Sequence, residues 1–259
     1  MKFNMNDYVT RKSHNHDIVF KIVHINNNVV ILKGVDFRLY ADAMIDDLVL
    51  CENNCNDDNE IIENNIRNLA LDRDNYFYLP GKILHIDGDK DYLDRCMFFY
   101  ERMGIKANGI SLAENVIHTK IKELINEFRP DIIVITGHDA LVRKGDKSQF
   151  ENSDNFALAV KEARKYEKNQ DKLIIIAGAC QSNYELLIKC GANFASSPKK
   201  INIHALDPAI IASSLAMSDK NKCIDLINII KKTKYGSDGI GGIITNGTMY
   251  VGYPRWILI

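Results

Sequence analysis

No stretch of this 259-residue sequence approaches the roughly 18 uninterrupted apolar residues that a membrane span requires. Its opening residues, Met1-Lys-Phe-Asn-Met-Asn6, hold no apolar segment of the kind a secretory leader needs, so the chain is expected to be soluble where it is made. An excess of one charge is missing too. The 33 Lys and Arg stand against 34 Asp and Glu, a net charge of -1, which gives no electrostatic reason to expect nucleic acid or a membrane surface as partner. Cysteines are few and scattered: Cys51, Cys55, Cys96, Cys180, Cys190 and Cys223 neither form a disulfide framework nor show paired zinc-ligand spacing. Reduced thiols in a cytosolic compartment follow. His14, His16 and His24 lack a fourth ligand at sensible spacing, so no metal is expected, and internal repeats are absent.

What the chain does contain is organised in two parts. Residues 1–50 carry short alternating runs, Tyr8–Thr10, Ile18–Val23, Val29–Leu32 and Phe37–Tyr40, separated by turn residues. Strands this close together predict a small SH3-like β-barrel, a targeting or packing module without chemistry of its own. Residues 51–77 turn polar and rich in Asn and Asp, which predicts a flexible linker with at most one short helix over Glu60–Leu71 and exposure to proteolysis.

From residue 78 to 259 the pattern is α/β. A strand over Gly81–Asp87 is followed by Leu93, Cys96, Met97 and Tyr100, spaced as one buried helix face that Gly104 ends. A short strand near Lys106–Ile110 comes next, then a helix over Ala113–Phe128 that Pro130 forbids from continuing. Asp131–Thr136 and Lys172–Ala177 are unbroken apolar runs, which read as fully buried parallel strands. Between them lie a polar loop, Ala140–Asn152, and a helix over Asp154–Glu167. Ser182-Asn-Tyr-Glu185 has the form of a capping box, so a helix should start at Ser182 and end at Gly191. A fifth strand, Ala192–Ser196, precedes Asp207-Pro208, read as an N-cap with proline at the first helical position. Near the end, Asn246-Gly247 signals a type I′ hairpin. Strands alternating with helices of this length predict a mostly parallel sheet flanked by helices.

The chemistry gathers where the two apolar runs stop. The first gives Thr136-Gly-His-Asp-Ala140 and the second Ala177-Gly-Ala-Cys-Gln-Ser182. Catalytic groups collect beyond the carboxyl ends of parallel strands, so neighbouring strands would bring His138 and Cys180 into one crevice. A free thiol is mostly protonated at neutral pH and needs a base, which His138 supplies; the positive end of the Ser182 helix would add part of the field. The peptide N–H groups of Cys180 and Asp139 are candidates for an oxyanion hole, and the Asp139 carboxylate either orients the histidine or shapes its loop. His204, 24 residues after Cys180, is a rival base, and His85 is read as structural. Asp87 and Asp89 share the same rim and could hold a cationic side chain through a bidentate pair, with Ser196, Ser197 and Asp207 on the opposite wall. No cofactor is called for.

A histidine and then a cysteine after two such strands is similar to the caspase-like cysteine peptidases, which include legumain, gingipain, clostripain and paracaspases. The caspase signature itself is not reproduced, because Gly178 stands where caspases have glutamine and Asp139 replaces the usual glycine. Within that superfamily, five blocks resemble the YabG family of sporulation-specific proteases. They are Pro80–Asp89, Ile135–Ala140, Ala177–Ser182, Gly191–Pro198 and Asn202–Pro208, and the likeness extends into Asp7–Lys12. The resemblance implies a caspase-like fold and a cysteine endopeptidase that processes spore coat and germination-related precursor proteins in the cytoplasm of the sporulating cell or at the spore coat. It also implies cleavage after arginine, with His138 and Cys180 as the catalytic pair and Asp87, in competition with Asp89, in the pocket for the arginine. Two other expectations stand beside it: a small-molecule amidohydrolase using Cys180 with His204, and a coat-assembly binding module with an inert thiol.

Overall fold

The computed structural model describes residues 3–51, 58–69, 71–144 and 147–255. The chain divides into two compact units, Met1–Asp58 and Asn59–Ile259. The smaller is one antiparallel sheet of β1 (Tyr8–Arg11), β2 (Phe20–Asn26), β3 (Val29–Gly34), β4 (Tyr40–Met44) and β5 (Leu48–Leu50), in the order β4-β3-β2-β1-β5. Val9, Phe20, Ile22, Val30 and Leu32 are fully buried, as alternation along half-buried strands dictates. The fourth strand starts where the expected Phe37–Tyr40 run ends. Residues 35–39 instead turn, closed by a bond from Gly34 N to Leu39 O, and Gly34 is needed there because a Cβ would lie 2.4 Å from the Phe37 carbonyl oxygen.

The larger unit opens with α1 (Asp58–Arg67) and β6 (Phe77–Leu79). Then come β7 (Ile83–Asp87), α2 (Lys90–Arg102), β8 (Ala107–Ser111), α3 (Glu114–Phe128) and β9 (Ile132–Thr136). After β10 (Leu141–Lys144), β11 (Lys147–Phe150) and α4 (Ser153–Tyr166) the chain forms β12 (Ile174–Ala177), α5 (Tyr184–Lys189) and β13 (Phe194–Ser196). It finishes with α6 (Asp207–Ala216), α7 (Leu226–Ile230), β14 (Ile240–Gly242) and β15 (Tyr250–Gly252). The main sheet runs β14-β13-β12-β9-β7-β8, parallel except for the edge strand β14. Every residue of β7, β9 and β12 is buried, which is why β9 and β12 read as unbroken apolar runs, whereas β7 encloses His85 and Asp87 among its apolar residues.

Alternate residues of these strands face opposite layers of helix. Ile83, Ile132, Val134 and Ile176 pack with Ile62 of α1, Phe99 and Tyr100 of α2 and Ile210 of α6. Leu84, Ile133, Ile135 and Ile175 pack with Ile117, Ile121 and Ile125 of α3 and Phe156 and Val160 of α4. The i, i+4, i+8 spacing on α3 makes that stripe, and Arg129, in a left-handed conformation just before Pro130, ends the helix.

Several local expectations give way to tertiary context. Residues 59–69 and 71–77 belong to the larger unit, because Ile62 is fully buried in its core and Leu69 and Leu71 pack against it; residues 52–57 of the expected linker lie outside the described residues. The polar stretch after His138 forms the antiparallel hairpin β10–β11. The helix after Cys180 is capped by Asn183, whose side chain accepts from Leu186 N, and it is only six residues long. Leu206, not Asp207, caps α6. Asn246-Gly247 makes no hairpin: neither residue has positive φ, β14 pairs with β13, and β15 pairs with β6. Gly247 is required for a different reason, since a Cβ there would stand 2.1 Å from the Ser218 carbonyl oxygen.

Replacing Ile62 by alanine is expected to destabilise the larger unit by about 2–5 kcal/mol. Urea titration would show a lower midpoint at unchanged slope, whereas a merely tethered helix would leave the midpoint where it was.

Candidate active site

From β7 the chain steps outward to β8 and then returns to β9 on the other side, so the sheet reverses its winding between β7 and β9. Crevices form beyond the carboxyl ends of strands at such a reversal. Asp87-Gly88-Asp89 leaves β7 there, Gly137-His138-Asp139 leaves β9, and Gly178-Ala179-Cys180 leaves the next strand, β12. His138 and Cys180 thus follow neighbouring parallel strands at one end of the sheet.

His138 is held from three sides. Its Nε2 lies 2.9 Å from Asp89 Oδ2, and its ring meets Tyr92 edge to face at 5.7 Å. Its backbone N–H donates to Glu114 Oε1 at 2.8 Å, and its carbonyl accepts from Asn152 Nδ2. Asp89 serves two purposes, because its other oxygen accepts from Asp91 N and Tyr92 N and so caps α2. The Glu114 carboxylate lies over Gly88 and Gly137, where a Cβ would meet Oε1 at 2.2 and 2.4 Å. Reading the sequence alone missed this role of Glu114. Ser111-Leu-Ala-Glu114 has the capping-box form, but the glutamate caps a histidine amide in another loop.

Asp139 is 3 % exposed and its carboxylate collects four donors. Oδ1 accepts from Ala140 N at 3.0 Å and Asn152 N at 2.7 Å; Oδ2 accepts from the hydroxyls of Ser153 and, at 2.9 Å, Ser182. Ser182 Oγ in turn accepts from Ala179 N, and Ser153 Oγ from Asn183 N. The side chain therefore ties the histidine loop to the cysteine loop and to the start of α4.

Cys180 is fully buried. Its sulfur receives Ile203 N at 3.3 Å and points back to Ile203 O at 3.8 Å. Gln181 N donates to Ile201 O and Ser197 Oγ, and the Gln181 amide reaches Asn202 Oδ1, so residues 197–203 lie as a strap across the cysteine loop. Gln181, Ser197 and Lys200 all hold left-handed φ values of 55, 66 and 56°, a conformation that costs non-glycine residues of order 1 kcal/mol or more and clusters at functional sites. With only six residues in α5, the helix field expected at Cys180 is small.

The other expected site residues are enclosed. Asp87 is fully buried: Oδ1 accepts from Asp89 N and Oδ2 from Thr136 Oγ1, so its carboxylate is turned into the sheet rather than toward a substrate. Asp207 is equally buried and accepts from His204 N and Lys234 N. Ser196 and Ser197 are buried at the end of β13, Ser197 with its hydroxyl given to Ile201 O. His204, 1 % exposed, accepts Leu206 N on Nδ1, while its neighbour Ile203 is the residue touching the sulfur. Among the described residues no cluster of His, Cys, Asp and Glu could hold a metal ion, and no helix is long and apolar enough to cross a membrane.

Residues 4–254 match the YabG peptidase U57 family, and the chain belongs to that family of peptidases. It is similar to the sporulation-specific protease YabG of Bacillus subtilis (strain 168), with 36% identity over 286 aligned positions that cover 98% of this chain and 99% of the relative. Among solved structures, it is similar at a TM-score of 0.34 to the isolated REC domain of RcsB from Salmonella enterica serovar Typhimurium, with 14% identity over 53% of this chain and 88% of that one. A cobalamin-binding protein from Desulfitobacterium hafniense DCB-2 follows at 0.33, with 20% identity over 51% of this chain and 56% of that one. Likenesses of this size carry no argument about chemistry.

Asp139→Ala is expected to destabilise the larger unit by about 3 kcal/mol or more, because two hydroxyls and two amides lose a buried acceptor. Iodoacetamide should also label Cys180 faster in the native variant; an unchanged labelling rate would mean that the two loops are held together by something else.

Proposed function

We propose that this peptidase is a cysteine endopeptidase in which Cys180 is the nucleophile, His138 the general base and acid, and Asp89 the carboxylate that orients the imidazole. The observation that carries the reading is an imidazole and a thiol beyond neighbouring strand ends, with a carboxylate 2.9 Å from the imidazole nitrogen. His138 takes the proton of Cys180, and the thiolate adds to the peptide carbonyl. The N–H groups of Cys180 and Asp139 receive the oxyanion, and His138 passes its proton to the leaving amine. Water then releases the acyl group from sulfur by the same base. Asp89 steadies the imidazolium formed between the two transfers.

Because the sulfur is covered by Ile203, productive binding requires the 197–203 strap to move aside as substrate enters. Its left-handed residues supply strain that such a movement would relieve.

The reading extends to context as expectations. The relative named above is a sporulation-specific protease, which supports action during sporulation; the substrates proposed, from the resemblance, are spore coat and germination-related precursor proteins, met in the cytoplasm of the sporulating cell or at the coat. An SH3-like barrel for residues 1–50 and a caspase-like architecture for residues 78–259 belong to the same proposal. In support of the last is the sheet of five parallel strands with an antiparallel strand at one edge. Cleavage is proposed to follow arginine, as the resemblance implies. With Asp87 enclosed, exposed acids are candidates for the guanidinium, among them Glu151, which follows the β10–β11 hairpin and whose N–H donates to Ala140 O, and Asp238, whose carbonyl accepts Lys199 N of the strap.

Cys180→Ala and His138→Ala should each abolish cleavage of an arginine-containing protein substrate while circular dichroism shows both folded; full activity in either would end the proposal. A peptide library read for the residue before each cut should return arginine, and Asp238→Asn should weaken that preference. Cuts spread evenly over residue types would remove arginine from the reading.

A further inference from the structure

Behind Asp89 a file of buried polar groups runs into the sheet. Asp89 N donates to Asp87 Oδ1 at 2.9 Å, Thr136 Oγ1 donates to Asp87 Oδ2 at 2.8 Å, His85 Nε2 lies 2.9 Å from Thr136 Oγ1, and His85 Nδ1 lies 3.0 Å from the Tyr100 hydroxyl. Tyr100, His85, Thr136 and Asp87 have no exposed surface at all. The hydrogen assignments follow from valence. An ionised Asp87 only accepts, so Thr136 spends its one proton on Asp87 and must accept from His85 Nε2–H, leaving the Nδ1 of a neutral ring to accept from Tyr100. His85 Nε2 is also 3.5 Å from Asp87 Oδ2, so any proton taken up by the ring is stabilised at once by that carboxylate.

Enclosing an acid and an imidazole between two central strands is costly, and a core needs neither. Apolar residues occupy the neighbouring positions of both strands, Leu84 and Ile86 on β7 and Val134 and Ile135 on β9. What the polar file achieves is to fix the turn that carries Asp89. Asp87 holds the backbone of Asp89 from the strand side, and the first turn of α2 holds one carboxylate oxygen from the other, leaving Oδ2 aimed at His138 Nε2.

We propose that Asp87, Thr136 and His85 are positioning residues for the Asp89–His138 pair: they set the place of the carboxylate, and through it the orientation of the imidazole. This rests on the reading of His138 as the general base. The titratable groups around that ring are Asp89 and Tyr92 on the α2 side, Glu114 from α3, its neighbour Asp139, and Cys180 beyond the adjacent strand. Asp89 is tied to the buried file through its backbone N–H. Loosening the file should let the carboxylate move and leave the imidazole without its fixed partner.

The test uses the full-length chain and a fluorogenic peptide that it cleaves, with kcat and KM followed separately. Thr136→Val removes the bridging hydroxyl while keeping the branched shape. It should reduce kcat on the order of ten- to a hundredfold near neutrality, the scale of a misplaced catalytic group, with KM little changed. Thr136→Ser should restore the rate. If the valine variant fails to fold, Tyr100→Phe, which cuts the far end of the file, should lower kcat by less, again with KM little changed. A valine or phenylalanine variant that melts earlier but keeps the wild-type kcat would overturn the proposal. Its failure is separable from failure of the underlying reading, because Cys180→Ala then remains inactive; an active Cys180→Ala would remove the nucleophile whatever Thr136 does.

Discussion

A carboxylate with four donors and almost no solvent holds the working end of this molecule together. Asp139 belongs to the histidine loop, but Ser182 belongs to the cysteine loop and Ser153 to the first turn of α4, so one side chain joins three segments that the sequence separates by up to 43 residues. An ionised carboxylate in such a place is tolerated only when its lone pairs are satisfied. Because the four donors are hydroxyls and peptide N–H groups of two loops and the first turn of α4, none of these segments can shift without taking a donor from the carboxylate. The separation of the imidazole and sulfur is thereby a property of hydrogen bonding in the loops as much as of strand spacing.

Around that tie the site divides its acids by burial. Asp87 works inward, toward Thr136 and His85; Asp89 works outward, toward His138; Asp207 holds the loop that carries His204. Glu114 adds a carboxylate on the histidine amide rather than on its ring. Asp87, Asp89, Glu114 and Asp139, all within a few residues of three strand ends, could be taken for a cation-binding rim, but each is engaged by donors of the protein itself. This gives the crevice a rigid frame with little free negative charge, and any selectivity for a cationic side chain falls to carboxylates further out.

Much of this was legible beforehand, for physical reasons that differ by element. Strands β9 and β12 are covered on both faces, so their apolar runs are unbroken; α2 and α3 bury one stripe each, so their periodicity shows. The hairpin β10–β11 was missed because its sequence is polar, without the alternation that marks a half-buried strand. Asn246-Gly247 looks like a turn locally, but Gly247 is fixed by the approach of Ser218, a contact no window of sequence contains. At the site, the occurrence of His138 and Cys180 after neighbouring strands could be foreseen from topology. The pairing of Asp89 with His138 across 49 positions could not, because it depends on the register of β7 against β9, where Asp87 faces Thr136.

The sheltered state of Cys180 has a chemical corollary. Thiols are lost to peroxide in proportion to their ionisation and their access to solvent, and a sulfur lying against Ile203 with no exposed surface offers little of the second. If a polypeptide must lift the strap before the sulfur can react, the same cover preserves the reagent while the protein waits. Shelf life and reactivity are then governed by one short piece of chain.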